Sequence, residues 1–153
     1  MLAAFAAAAA LAANVAPVTV PYRCVPGLDR SATGGPPATA LAWSDRVELS
    51  PWVCRADLWL TAGRSGRAAV ARRLGLPGTV ADEAGEAGAA ALITLHEAEH
   101  ATGVADESAA ECGALALLPR VLARYLQGPN RRAALAGALA WHEQLPESYR
   151  RCG

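Results

Sequence analysis

The chain has 153 residues, enough for one domain with a modest core and too few for a second catalytic domain. Its 14 basic residues are all arginines and balance 14 acidic residues. A net charge of zero gives no electrostatic basis for binding nucleic acid or an acidic membrane surface, so we expect neither partner.

The N-terminal segment, residues 1 to 16, is apolar and uncharged. It has about the length of the hydrophobic region of a signal peptide and is too short to span a bilayer comfortably. Ala10-Leu11-Ala12 fits a small-x-small cleavage pattern, although no basic residue follows Met1. We favour a signal peptide, with a helix packed on the core as the alternative. Residues 17 to 153 are then the single domain, with no stable membrane span in the mature form.

The four cysteines are widely spread, without a CxxC pair or zinc-finger spacing. They are Cys24, Cys54, Cys112 and Cys152. Behind an export-like segment, such a set is typical of two disulfides formed in an oxidising compartment. Three connectivities are possible, and we favour Cys24 with Cys54 and Cys112 with Cys152. This interpretation predicts a secreted or cell-envelope bacterial protein; the alternative is four buried thiols in a cytosolic one.

The elements of the first half are short. Residues 29 to 40 are rich in Gly, Pro, Ser and Thr and predict a loop. Apolar alternation over 41 to 49, ended by Ser50-Pro51, predicts one or two strands. Residues 51 to 60 predict a short helix or an extended segment on the core, and 67 to 74 predict a helix. We expect that helix to stop near Gly75 and Pro77.

The strongest helical pattern covers residues 86 to 102, where apolar side chains recur at spacings of three and four. Gly103 predicts the end of this helix, because a positive φ lets the chain reverse sharply. Asp106 is a suitable N-cap for a following helix over about 106 to 118. Pro119 is expected to kink or restart that helix.

A last helix is expected over residues 131 to 141, ahead of a polar tail that only Cys152 would hold in place. Together the elements predict an α+β domain that is mainly helical and has one small sheet. The two central helices carry most of the side chains that could support chemistry.

The first of these helices contains the sequence HEAEH, from His96 to His100. Residues four apart lie on the same helix face with Cβ atoms about 5 to 6 Å apart, so two imidazoles can reach one zinc ion. Glu97 is rotated by about 100° from His96 and could reach a water on the open side of the metal. The pattern therefore predicts a Zn²⁺ site with His96 and His100 as ligands and Glu97 as the catalytic general base.

The stretch HEAEHATGVADE resembles the active-site sequence of zincin metallopeptidases. Its HExxHxxGxxD spacing is similar to a short metzincin form, in which Asp106 would be the third ligand. The only methionine is Met1, so a metzincin Met-turn cannot form. ESAAE, from Glu107 to Glu111, resembles the ExxAD/E pattern of gluzincins, whose first glutamate binds the metal. This implies Glu107 as third ligand and Glu111 as a residue that orients a ligand histidine; we rank Glu107 first, Asp106 second and Glu111 third.

Three other polar residues bear on this site. Glu99 is charged at a position that is usually uncharged in zincins, so we expect it to face solvent or to pair with an arginine. His142 and Tyr149 could each supply a further metal contact or a hydrogen bond in the transition state. A surface or packing role is the alternative for His142.

The resemblance implies a small, secreted, zincin-like metallopeptidase that hydrolyses peptide or protein substrates. Zincins usually bind peptide along an edge strand above the active-site helix, and residues 41 to 49 supply the candidate strand. One alternative is a zinc-binding relative without turnover. The other is a non-catalytic, disulfide-stapled binding domain in which both helices are only structural.

Overall fold

The computed structural model describes residues 2–15, 20–26, 28, 40–42, 45–74 and 80–152. Three short strands and six helices follow one another in this part of the chain. They are α1 (Leu2–Ala12), β1 (Tyr22–Cys24), β2 (Ala40–Ala42), β3 (Val47–Leu49), α2 (Pro51–Thr61), α3 (Gly63–Leu74), α4 (Val80–Ala101), α5 (Glu107–Tyr125) and α6 (Gly128–Gln144). The predicted class, α+β and mainly helical with a small sheet, is confirmed.

Helix α4 runs through the middle of the protein and is buried from Ala87 to Ala98. Leu92 packs on one side with residues of α5 and α6, and Ile93 packs on the other with residues of the sheet and α1. A helix that is buried all round is normally apolar, and polar groups within it need partners. Its buried polar residues are Thr94, His96 and Glu97.

The three strands form one sheet in the order β1-β3-β2. β1 runs parallel to β3, and β2 runs antiparallel to it. Val47 and Leu49 of β3 are buried, while Glu48 between them accepts a hydrogen bond from Nε of Arg46 at 2.7 Å. The strands predicted within residues 41 to 49 are thus β2 and β3, and β1 was not predicted.

Helix α5 continues through Pro119 to Tyr125, so the predicted restart at the proline is wrong, whereas the alternative of a kink stays a prediction. Pro119 is exposed, but Leu118, Val121 and Leu122 around it are buried. Burying each of these side chains contributes about 1.5 to 3 kcal/mol, against about 3 kcal/mol for a proline inside a helix. Core packing therefore outweighs the proline.

Three other helices are longer than predicted. α3 begins four residues before the predicted start at 67, and α4 begins six residues before 86. α6 extends three residues beyond the predicted range of 131 to 141 at both ends. Helix ends are the least determined part of a periodic pattern, because small residues there give little apolar contrast.

The segment 51 to 60, for which a helix and an extended segment were both open, is helix α2. Ser50 is at its N-cap and Pro51 is in its first turn, where a missing N–H costs nothing. Of the predicted loop over 29 to 40, the structure describes only Ala40, which begins β2. Gly75 and Pro77 also lie outside the described residues.

Helices α4 and α6 cross with their backbones in close contact. A Cβ built at Gly88 would overlap the backbone carbonyl of Ala134, and one built at Gly137 would overlap that of Gly85. Any larger side chain at these glycines would push the helices apart. The crossing therefore fixes α6, and the residues that follow it, against the central helix.

The apolar N-terminal segment forms helix α1, in which Ala8, Leu11 and Ala12 are buried. This is the packing expected of the alternative interpretation, an N-terminal helix on the core. Removal of residues 1 to 16 as a signal peptide stays a prediction. In the described part of the chain, no helix combines the length and the apolar character needed to cross a membrane.

Both predicted disulfides are present. Cys24–Cys54 joins β1 to α2 with Cα atoms 6.1 Å apart, and Cys112–Cys152 joins α5 to the C-terminal residues with Cα atoms 5.5 Å apart. All four cysteines are therefore paired, and the alternative of four thiols is wrong. Two disulfides in a small domain are typical of proteins from oxidising, extracytoplasmic compartments.

Candidate metal centre

Three side chains from the two central helices converge on one point. Nε2 of His96 lies 2.9 Å from Nε2 of His100, and Oε2 of Glu107 lies 3.1 Å from each of these nitrogens. Bonds of about 2.0 to 2.1 Å to a tetrahedral zinc ion separate the ligand atoms by about 3.3 Å. A triangle of this size accommodates a metal ion after a small expansion, so the group could hold one.

The turn that ends α4 orients His100. Gly103 has a φ of 102°, its N–H donates to the carbonyl of His100 at 2.9 Å, and the N–H of Val104 donates to the carbonyl of Glu99 at 3.2 Å. This pair of bonds is a Schellman motif, as the glycine predicted. The turn places the Val104 carbonyl 2.6 Å from Nδ1 of His100. A carbonyl only accepts, so Nδ1 carries the proton and Nε2 of His100 presents a lone pair.

Glu111 orients His96 in the same way. Its Oε2 lies 3.0 Å from Nδ1 of His96, and its carboxylate is almost completely buried. An ionised carboxylate only accepts, so Nδ1 of His96 donates. In the neutral imidazole that a metal would bind, Nε2 then has a lone pair. Glu111 therefore contacts the nitrogen of His96 that does not converge, and it is not one of the three converging groups. The gluzincin-like interpretation predicted this supporting position for Glu111.

With both imidazoles neutral, three lone pairs lie together, on Nε2 of His96, Nε2 of His100 and Oε2 of Glu107. Burial acts to lower the pKa of His96, but its hydrogen bond to Glu111 and the charges of the nearby carboxylates raise it. A proton on Nε2 of His96 could satisfy its two contacts, but the contact between His100 and Glu107 would remain repulsive. A divalent cation attracts all three atoms at once. The donor set therefore fits a bound metal ion.

Asp106, the second-ranked third ligand, has a different position. Its Oδ1 accepts hydrogen bonds of 2.8 Å from the backbone N–H of Ala109 and from the hydroxyl of Ser108. These bonds lower the pKa of Asp106. The side chain caps α5, as the sequence predicted, and the structure does not bring it to the histidines.

Glu97 is buried in α4, next to His96. Burial raises the pKa of Glu97 to about 7, although the neighbouring His96 and His100 act to lower it. Its assignment as general base stays a prediction.

The charged Glu99 is accommodated by a glycine on the facing helix. Its carboxylate lies over Gly113 of α5, where an added Cβ would come within 2.8 Å of Oε1. Glu99 is half-buried there and forms no ion pair with an arginine among the residues that the structure describes, so of the two expected environments it has only partial exposure to solvent. No local pattern predicts the contact with Gly113, because it depends on how α4 and α5 pack.

The C-terminal region contributes two contacts. Nδ1 of His142 lies 2.8 Å from Oε1 of Glu111, so His142 reaches the centre only through that carboxylate. The ring of Tyr149 stacks on the ring of His96, with centroids 5.8 Å apart and planes inclined by 14°. Burial and the charge of Glu107 raise the pKa of Tyr149. Tyr149 is therefore beside the converging atoms, whereas His142 is behind them.

Sequence reasoning missed the Val104 carbonyl and the link from Glu111 to His142. The first could have been predicted, because a glycine three residues after His100 indicates a Schellman turn that folds the next residue back on the helix. The second has no local signal, since residues 111 and 142 belong to different helices.

Comparison of the chain with protein families, with curated proteins and with solved structures found no match. A fold class by itself supports many functions. The functional argument therefore rests on the residues of this centre.

Proposed function

We propose that this protein is an extracytoplasmic zinc-dependent metallopeptidase that cleaves peptide bonds in peptide or protein substrates. One observation carries the proposal: His96, His100 and Glu107 bring two imidazole nitrogens and one carboxylate oxygen together at one point, and the other nitrogen of each histidine lies beside an acceptor. The HExxH spacing and the zincin-like sequence around it support the same function. The two disulfides support a secreted or cell-envelope location.

The donor set and its exposure favour a catalytic zinc site over a structural one. Two imidazoles and one carboxylate are a common set for catalytic zinc, in which a fourth position is left for water or substrate. The Glu107 side chain is 45% exposed, whereas that of His96 is 8% exposed. The centre is therefore reached from solvent on the Glu107 side and is closed behind His96.

When bound at this centre, zinc would polarise a scissile carbonyl and lower the pKa of an attacking water. Glu97 would take the proton from that water as the general base. β2 lies at one edge of the sheet and could pair with an extended peptide by main-chain hydrogen bonds.

A zinc-binding domain without turnover is the second candidate, and one observation favours it. Tyr149 stacks on His96, so it occupies part of the space beside the converging atoms. If this ring stays in place, it would restrict the approach of a peptide carbonyl. The protein would then bind zinc and hydrolyse nothing.

Zinc content and peptide hydrolysis of four proteins test these proposals together. We expect about one zinc per chain in the wild type, and loss of the metal in His96→Ala. Glu97→Gln should keep the metal and lose hydrolysis by about 10² to 10⁴-fold. Glu99→Gln, two residues along the same helix, is the matched control and should keep both.

A folded wild type that remains free of metal after exposure to zinc would refute the proposal. Retained hydrolysis in Glu97→Gln would refute the assigned base. Zinc binding in the wild type with no cleavage of any peptide in a mixed-sequence library would favour the second candidate.

A further inference from the structure

The C-terminal tail, residues 145 to 152, is a chain of turns that returns to the metal centre. It leaves α6 with the N–H of Leu145 donating to the carbonyl of His142 at 3.1 Å. The N–H of Tyr149 then donates to the carbonyl of Pro146 at 2.9 Å. The tail ends at Cys152, which is bonded to Cys112 of α5.

Within this tail, Tyr149 makes the contacts to the centre. Its ring stacks on the ring of His96, with centroids 5.8 Å apart and planes inclined by 14°. His96 contributes one of the three converging atoms. Tyr149 can therefore fix the orientation of the His96 ring.

Little besides the disulfide holds the tail in place. Its other side chains are exposed except for the half-buried Leu145. The ion pair from Arg151 to Glu147, at 3.2 Å, joins two exposed residues of the tail itself and adds little stability. Exposed terminal segments with few contacts open readily, so a covalent link is the main restraint.

The disulfide is also placed where it can act on the centre. Cys112 follows Glu111, the residue that orients His96, and its Cα is 5.5 Å from that of Cys152. Three residues of chain span at most about 11 Å, so the bond confines Tyr149 to the neighbourhood of Glu111. The other disulfide, Cys24–Cys54, joins β1 to α2 and does not involve the tail.

We infer that the Cys112–Cys152 disulfide is part of the metal centre, because it holds Tyr149 against His96 and thereby raises the affinity for the metal. Tyr149 is a positioning residue in this role and the disulfide acts through it. The affinity part of the inference rests on the proposed function. The position of Tyr149 can be measured without metal.

Zinc affinity, measured by competition with a chromophoric chelator, gives the first test. Tyr149→Ala, which keeps both disulfides, should weaken zinc binding by about tenfold or more, as is usual for residues that support metal ligands. Cys112→Ser/Cys152→Ser should weaken it by a similar factor. Combining the two changes should weaken binding no more than either change alone, since both remove the same restraint.

Two matched controls separate this effect from general destabilisation. Cys24→Ser/Cys54→Ser removes the other disulfide, and Ser148→Ala changes the exposed neighbour of Tyr149. Both should bind zinc within about threefold of the wild type at a temperature where circular dichroism shows every variant folded. Equal losses in both disulfide variants, or additive losses for Tyr149→Ala and Cys112→Ser/Cys152→Ser, would overturn the inference.

The metal-free readout is the ring-current shift of the His96 imidazole protons in the NMR spectrum of the apo protein. These signals should move in Cys112→Ser/Cys152→Ser toward their positions in Tyr149→Ala. Unchanged signals would refute the inferred role of the disulfide. If the wild type binds no zinc, but the His96 signals still move as expected in Cys112→Ser/Cys152→Ser, the proposed function is refuted and the positioning role is supported.

Discussion

Asp57 is a buried carboxyl that makes the stability of this protein depend on pH. It lies on α2, is completely buried, and accepts a hydrogen bond of 2.7 Å from the hydroxyl of Thr94. Its other oxygen, Oδ1, has no hydrogen-bond partner in the part of the chain that the structure describes. Burial raises the pKa of Asp57 to about 7, although the bond from Thr94 acts to lower it.

The sign of the effect follows from proton binding. Between about pH 4 and pH 7 the folded protein keeps a proton on Asp57 that the unfolded chain releases. The stabilising contribution is therefore complete below about pH 4 and is lost as the pH rises through about 7. A difference of about three pKa units corresponds to a loss of up to about 4 kcal/mol in the free energy of unfolding.

Asp57→Asn removes this titration and keeps the shape and an oxygen acceptor for Thr94. Urea unfolding of both proteins between pH 4 and pH 9 should show the variant gaining up to about 4 kcal/mol relative to the wild type as the pH rises. Asp45→Asn, at an exposed position, is the control and should show no such trend. A difference between wild type and Asp57→Asn that changes by less than about 1 kcal/mol over this range would refute the reasoning.

Three further predictions concern the helix crossing, the histidine support and the helix cap. Gly88→Ala should lower the free energy of unfolding, measured with urea, by about 1 to 3 kcal/mol, because its Cβ would overlap the carbonyl of Ala134. An unchanged urea midpoint would contradict the close crossing of α4 and α6. Glu111→Gln should weaken zinc binding by about 10 to 100-fold in a chelator competition, because it removes the charged acceptor of His96; wild-type affinity would show that the contact is unimportant. Asp106→Ala should cost about 1 kcal/mol in thermal unfolding and leave the zinc content unchanged, whereas loss of zinc would make Asp106 a ligand.

The convergence of the site residues could be predicted because it is mostly local. His96 and His100 share a helix face by spacing alone, and Gly103 predicts the turn that brings α5 back on α4. Glu107 is the first residue of α5, directly after the N-cap Asp106. The start of this helix therefore places the Glu107 side chain beside the histidines. All of these steps lie within twelve residues of sequence.

The contacts of His142 and Tyr149 could not be predicted, because they depend on contacts between distant segments. His142 meets Glu111 only because α6 is fixed against α4 at a crossing of glycines. Tyr149 meets His96 only because the last turns and the disulfide return the tail to α5. Neither the crossing nor the path of the tail leaves a periodic pattern in the sequence.

The fold shows the same division between local and distant causes. The central helices were predicted in type because their apolar residues recur with helical spacing over more than ten positions. β1 is three residues long and pairs with a strand more than twenty residues away, so no local pattern marked it. The length of α5 was wrong in the prediction, because core burial beyond Pro119 cannot be read from the proline itself.

Anomalous diffraction at the zinc absorption edge, from crystals of the wild type soaked in zinc, tests the central claim most directly. The account predicts one strong peak bonded at about 2.0 to 2.1 Å to Nε2 of His96, Nε2 of His100 and a carboxylate oxygen of Glu107. Crystals of His96→Ala should lack this peak. A wild-type crystal with no peak at these three atoms, or with zinc bound only elsewhere, would contradict the account.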